Sequence, residues 1–133
     1  MRLDRYVNRL LDTLYSRKDF EIEQLEYDIQ EDEGRGFVAA RVRYGDGAVL
    51  EFDESLVVEF GLVLRKVSYA YHFQQSDGTG VIRYDNTPHH PEVAERFPHH
   101  KHVGEKVEAS DAPDLHDVLK EIDRYLENQR APS

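Results

Sequence analysis

Near the start of the chain, apolar side chains return every three or four positions: Leu3, Tyr6, Val7, Leu10, Leu11 and Leu14, with Arg5, Arg9 and Asp12 turned away from them. That is the repeat of one helical face, so the chain opens with an amphipathic helix. From Phe20 the period shortens. Leu25, Tyr27 and Ile29 alternate with polar residues until the stretch EDEGRG at 31–36 breaks the pattern. Val38, Ala40, Val42 and Tyr44 then alternate again, and GDG at 45–47 makes a second turn before Ala48, Leu50 and Phe52. A period of two interrupted by glycine-rich turns predicts antiparallel hairpins.

A short apolar run from Leu56 to Phe60 ends at Gly61, where the chain can bend. Val63, Val67, Tyr69, Tyr71 and Phe73 then fall on one face of a long strand, with His72 on the other. The turn SDGTG at 76–80 returns the chain through Val81, Ile82 and Tyr84. Leu115, Val118, Leu119, Ile122 and Leu126 form a second helical stripe, preceded by Pro113, with Asp111 and Asp114 as capping or first-turn acids. The order of helix, several strands and helix predicts an α+β fold: a curved antiparallel sheet with the N-terminal and C-terminal helices packed on one face. Only the tail from Ala131 to Ser133 reads as loose.

Length and composition narrow this picture. The chain has 133 residues, the size of a single domain spanning 1–133. No apolar run approaches the roughly 18 residues of a membrane span, and MRLDRYVNRL carries charges where a signal peptide needs an apolar segment, so a cytoplasmic location without membrane contact is expected. There is no cysteine, which removes thiolate nucleophiles and Cys-based zinc sites. The net charge of −10 argues against a broad basic face for nucleic acid. It also suits a high-salt host, in which surface charge is heavily screened.

One segment departs from the rest. Five of the seven histidines lie in RYDNTPHHPEVAERFPHHKH, residues 83–102. Around it Arg83, Arg96, Lys101 and Lys106 balance Asp85, Glu92, Glu95 and Glu105, making this the least acidic part of an acidic chain. Pro88, Pro91 and Pro98 fix φ and lack backbone donors, so 87–98 reads as an irregular loop at the end of the Val81 strand. Beyond Pro98 the chain can extend, with His100 and His102 on one face and His99 and Lys101 on the other.

Three chemistries fit these residues. The first is metal-free phosphodiester cleavage, with His100 and His102 as base and acid, because an unperturbed imidazole of pKa about 6.5 offers both protonation states near neutrality. Lys101, Arg83 or Arg96 would clamp the phosphate, Tyr84 or Tyr71 would stack on a base or donate to the phosphate, and Asp85 would fix a histidine tautomer. Asn86, His89, His90 and His99 are further candidates for contact with substrate. The second is a divalent metal such as Zn, Ni, Mn or Fe, held by the His-x-His pair with His89 or His90 and Asp85, although the spacing fits no standard zinc signature. The third is structural: Asp85, Asn86 and the histidines tie a proline-rich loop to the sheet. His72 and His116 stand alone and are assigned to a sheet face and a solvated helix start. The stripe of Tyr69, Tyr71 and Phe73 reads as core.

RYDN followed by PHHP and then FPHHKH resembles the signature of the TumE-type toxin family of bacterial and archaeal toxin–antitoxin modules. The matching positions are Arg83, Tyr84, Asp85, Asn86, Pro88, His89, His90, Pro91, Phe97, Pro98, His99, His100, Lys101 and His102. The leading helix, the YAYHF strand, the closing helix and the length agree with it. The resemblance implies a small cytoplasmic toxin neutralised by direct contact with a cognate antitoxin, often one with a helix-turn-helix domain. By analogy with other small toxins of this architecture it implies RNA cleavage or another block on translation. The competing expectation is a non-enzymatic partner-binding or metal-sensing module. A homodimer is compatible with either, through a strand edge or the apolar helix stripes.

Overall fold

A computed structural model describes residues 2–86, 100–103, 106–109 and 113–130. Helix α1 spans Leu3–Ser16 and helix α2 spans Leu115–Arg130. Between them run strands β1 (Phe20–Gln30), β2 (Arg35–Tyr44), β3 (Val49–Glu59), β4 (Val63–Gln74), β5 (Gly80–Asp85), β6 (His100–Val103) and β7 (Lys106–Ala109). Every neighbouring pair is antiparallel and the spatial order follows the sequence, so the described strands form one open meander. The α+β class and the hairpins are as the periodicity predicts. β3 runs without a break through Leu56 and Val58, so the short apolar run is the end of that strand.

One face of the sheet carries the core. Val38, Ala40 and Val42 of β2, Leu50 and Phe52 of β3, Tyr69, Tyr71 and Phe73 of β4 and Ile82 of β5 are buried there with Leu10 and Leu14 of α1 and Val118, Leu119 and Ile122 of α2. Closing a set of aliphatic and aromatic side chains this size between two helices and a sheet supplies the main driving force for folding. Leu3 and Val7 pack with Leu56 in a smaller cluster at the other end of α1. Gly36 makes that approach possible: a Cβ there would come within 2.9 Å of a Leu3 methyl.

Bulges in β1 and β4, and a third at Val81 of β5, set which residues face the helices. In β1 the register slips between Ile22 and Gln24, so Ile22 opposes Val42 and Leu25 opposes Ala40, keeping both on the core side. In β4, Ser68 opposes Ser55 and Lys66 opposes Leu56, which leaves Val67 as the extra residue. Beyond it the faces swap. Val63 and Val67 therefore do not share a face with Tyr69, Tyr71 and Phe73 as strict alternation predicts; they are exposed, and Leu64 and Lys66 turn inward.

Lys66 meets a buried carboxylate. Glu54 is fully buried; Tyr6 of α1 and Tyr71 of β4 donate their hydroxyls to its two oxygens, and Lys66 Nζ lies 3.3 Å from Oε2. Lys66 also donates to the Tyr71 hydroxyl at 2.6 Å and to the Pro113 carbonyl at 2.9 Å. Burial, and after it the Glu54 charge, push both tyrosine hydroxyls far above the ordinary range, so they remain donors. This cluster ties α1, the sheet and the approach to α2 at one point.

At the start of α2, Asp117 N–H donates to Asp114 Oδ1 at 2.8 Å and Asp114 N–H donates to Asp117 Oδ2 at 3.2 Å. Asp114 is thus the N-cap that the sequence suggests, in a reciprocal arrangement that satisfies two otherwise open amides. Its replacement by alanine is expected to lower stability by about 1 kcal/mol, read as a shift in the denaturant midpoint at constant slope. Asp111 and the tail from Ala131 lie outside the described residues.

Candidate functional site

The sheet face away from the helices carries a polar row. Reading across it in register, Arg41 of β2 opposes Glu51 of β3, Glu51 opposes His72 of β4, His72 opposes Arg83 of β5, and Arg83 opposes His102 of β6. Directly opposed residues on antiparallel strands put their side chains on the same face, so the pairing itself assembles this row. Arg41 bonds Glu51 and also Glu23, at 2.9 Å. The row thus ends in His72, Arg83 and His102.

Asp85, two residues beyond Arg83 on the same strand, fixes the far end of the row. Its side chain is fully buried; Arg83 Nε donates to Oδ2 at 2.9 Å, and His102 Nε2 lies 3.7 Å from the same oxygen. The carboxylate thereby offers a common anchor to a guanidinium and an imidazole. Asp85 takes the Arg83 Nε, and the guanidinium is half exposed and carries two further nitrogens in the fork geometry that suits a phosphate.

Beside His72 the same face sinks into a depression of about 380 Å³ lined by Gln24, Glu26, Ala39, Glu51, Asp53, Ala70, His72 and Arg83. Its shape follows from residue size: Ala39 and Ala70 flank Asp53 in register, leaving low ground between taller side chains. Burial raises the Asp53 pKa, with the Glu54 charge adding to it. Burial also lowers the pKa of His72, and the Arg83 charge acts the same way against a weaker pull from Glu51. Both effects favour the neutral ring.

The motif residues do not all converge. Arg83, Asp85 and His102 share the open face. Tyr84 and Lys101, opposed to each other on β5 and β6, turn to the helix side, where both reach Glu121 of α2, at 2.6 Å and 2.7 Å. Burial works to lower the Lys101 pKa, but its contacts with Glu121 and Tyr84 outweigh that and raise it. Tyr71 donates to Glu54 inside the core. Asn86 prolongs the ladder between β4 and β5 with its side chain, accepting from Tyr69 N–H at 3.1 Å and donating to the Val67 carbonyl at 2.8 Å across the bulge. For His100 the structure describes the backbone, which opposes Asp85. His89, His90, Arg96 and His99 lie outside the described residues, as do Pro88, Pro91, Phe97 and Pro98. His116 is exposed at the start of α2. Among the described residues no three His, Asp or Glu side chains are grouped to hold a metal ion, and no helix is long and apolar enough to cross a membrane.

Sequence reasoning set His72 aside as a lone sheet residue. Only the strand register, which pairs it with Arg83, brings it to the motif.

Fold and site define a small α+β protein whose open sheet face presents an imidazole–guanidinium–carboxylate cluster at the root of a histidine-rich motif. A family model described as Toxin TumE matches residues 9–130, nearly the whole chain. The chain belongs to the TumE toxin family, which makes it the toxin of a toxin–antitoxin module and implies a cognate antitoxin. No curated protein and no solved structure matches it.

Proposed function

We propose that this toxin is a ribonuclease that cleaves RNA by transesterification at the 2′-hydroxyl, and that the site is the cluster of Arg83, Asp85 and His102. The observation that carries the reading is the cross-strand pair of Arg83 and His102 with the buried Asp85 beneath both. Cleavage of this kind needs proton transfer at two oxygens and a fixed cation at the phosphorus, and no covalent enzyme intermediate. His102 moves one proton, Arg83 holds the non-bridging oxygens, and Asp85 orients both. Arg83 serves as the clamp because Lys101 is occupied by Glu121 on the opposite side of the sheet. The acidic surface limits binding to this local site, where a single clamped phosphate releases few counterions and makes the dependence on salt shallow. The toxin acts in the cytoplasm, where RNA and a helix-turn-helix antitoxin are both at hand.

The reading is tested by inducing the wild type and the His102→Ala variant without antitoxin while following growth and total RNA together. Growth arrest with RNA fragmentation from the wild type, and neither from a folded, equally abundant His102→Ala protein, is the expected result. Arrest with intact RNA would keep the toxin and remove the ribonuclease.

A further inference from the structure

In-line cleavage places the attacking and leaving oxygens on opposite sides of the phosphorus, so base and acid must flank the phosphate. His100 and His102 both lie on β6, on one side of Arg83. The opposite side is β4, and the residue in register there is His72. With neighbouring strands about 5 Å apart, the His72 and His102 backbones stand about 10 Å from each other, with Arg83 on the strand between them.

We propose that His72 is a further catalytic residue of this site, the base that takes the proton from the ribose 2′-hydroxyl, while His102 on the far side of Arg83 gives a proton to the leaving 5′-oxygen. The inference rests on the ribonuclease reading above. In the step, the 2′-oxygen loses its proton to His72 and forms a bond to phosphorus as the bond from phosphorus to the 5′-oxygen breaks. That oxygen takes the proton of His102. The products are a 2′,3′-cyclic phosphate and a 5′-hydroxyl, and the two imidazoles regain their starting states by exchange with water.

Four features support this role. Among the described residues His72 makes no hydrogen bond or ion pair, so its ring is not committed to holding the sheet together. The glycine at position 80 leaves space beside it, a Cβ there standing 3.4 Å from His72 Nε2. The charged groups facing it are Glu51 from β3 and Arg83 from β5; burial first and the Arg83 charge second favour the neutral, proton-accepting ring, against an opposite and weaker pull from Glu51. Finally, the depression opens on the His72 side of Arg83, giving room for the nucleoside that carries the attacking hydroxyl, within the usual size range of ligand sites. Glu26, Glu51 and Asp53 on its walls repel phosphate and accept from base amino and imino groups, which sets the backbone on Arg83 and the base in the depression.

The test uses the purified full chain and a mixed-sequence RNA oligonucleotide, with a 2′-deoxy oligonucleotide of the same sequence as an uncleavable probe of binding. His72→Ala and His72→Gln are each expected to lose about 10²- to 10⁴-fold in cleavage rate. Both are also expected to lose the acid limb of the pH–rate profile, while binding the 2′-deoxy probe within a few-fold of wild type. Folding of each is checked by circular dichroism, and the glutamine variant keeps the test open if the smaller side chain loosens the sheet. Wild-type rates in either folded variant would overturn the role of His72 and leave the ribonuclease standing. Loss of probe binding in proportion to loss of rate would make His72 a binding group and overturn the base assignment. RNA left intact by the wild type would overturn the ribonuclease and this inference with it.

Discussion

Purified His102→Ala protein is expected to cleave RNA about 10²- to 10⁴-fold more slowly than the wild type, the range for removing a positioned acid or base. The effect should appear in kcat more than in KM, because the Arg83 guanidinium that holds the phosphate keeps its carboxylate partner when the imidazole is removed. The His102 side chain is one-fifth exposed on β6 and belongs to neither core cluster, so the variant should melt close to the wild type. His116→Ala, removing an exposed ring at the start of α2, is the matched control and should cleave normally. Equal rates for His102→Ala and wild type would remove the imidazole from the mechanism.

The second large effect is on stability. Lys66→Met is expected to cost about 3–5 kcal/mol, the range for breaking a buried ion pair and leaving one charge behind. Glu54 is fully buried, and Lys66 is the only cation shown within ion-pair reach of it among the described residues. Pro113 would lose its donor at the same time, freeing the chain ahead of α2. Glu54→Gln in the Lys66→Met background should recover much of the loss, since it removes the uncompensated charge while keeping an acceptor for one tyrosine. Chemical denaturation reads both; a Lys66→Met midpoint equal to wild type would mean that Glu54 is held by the tyrosines alone.

The parts of the fold that could be read in the sequence are those with an unbroken period. The stripes from Leu3 to Leu14 and from Leu115 to Leu126 became α1 and α2, and the glycine turns at 45–47 and 76–80 became hairpin ends. Bulges were not legible, because one inserted residue leaves the local composition unchanged while exchanging the two faces beyond it. Val63 and Val67 were misassigned for that reason, and the inward turn of Lys66 toward Glu54 was hidden by it. Strand β7 was also missed: Lys106–Ala109 is short and carries too little alternation to announce itself.

For the site, the motif offered Arg83, Asp85 and His102 by residue type, as clamp, orienting acid and one of a pair of histidines. Alternation put Lys101 on the face opposite His102, yet residue type alone still offered it and Tyr84 to the phosphate; both lie on the helix side and meet Glu121. The motif could not find His72, which joins the row through register with a strand that lies before the motif in the chain. Lone histidines on strands opposed to a motif arginine are the signal to look for, once the hairpin register is known.

The most direct measurement of the central claim is the chemistry of the cut ends. RNA incubated with the purified wild-type toxin in the presence of a chelator is analysed for its termini. Transesterification at the Arg83–His102 site predicts 2′,3′-cyclic phosphates and 5′-hydroxyls, formed at an undiminished rate without divalent metal. Intact RNA, or 3′-hydroxyl and 5′-phosphate ends that vanish with the chelator, would contradict it.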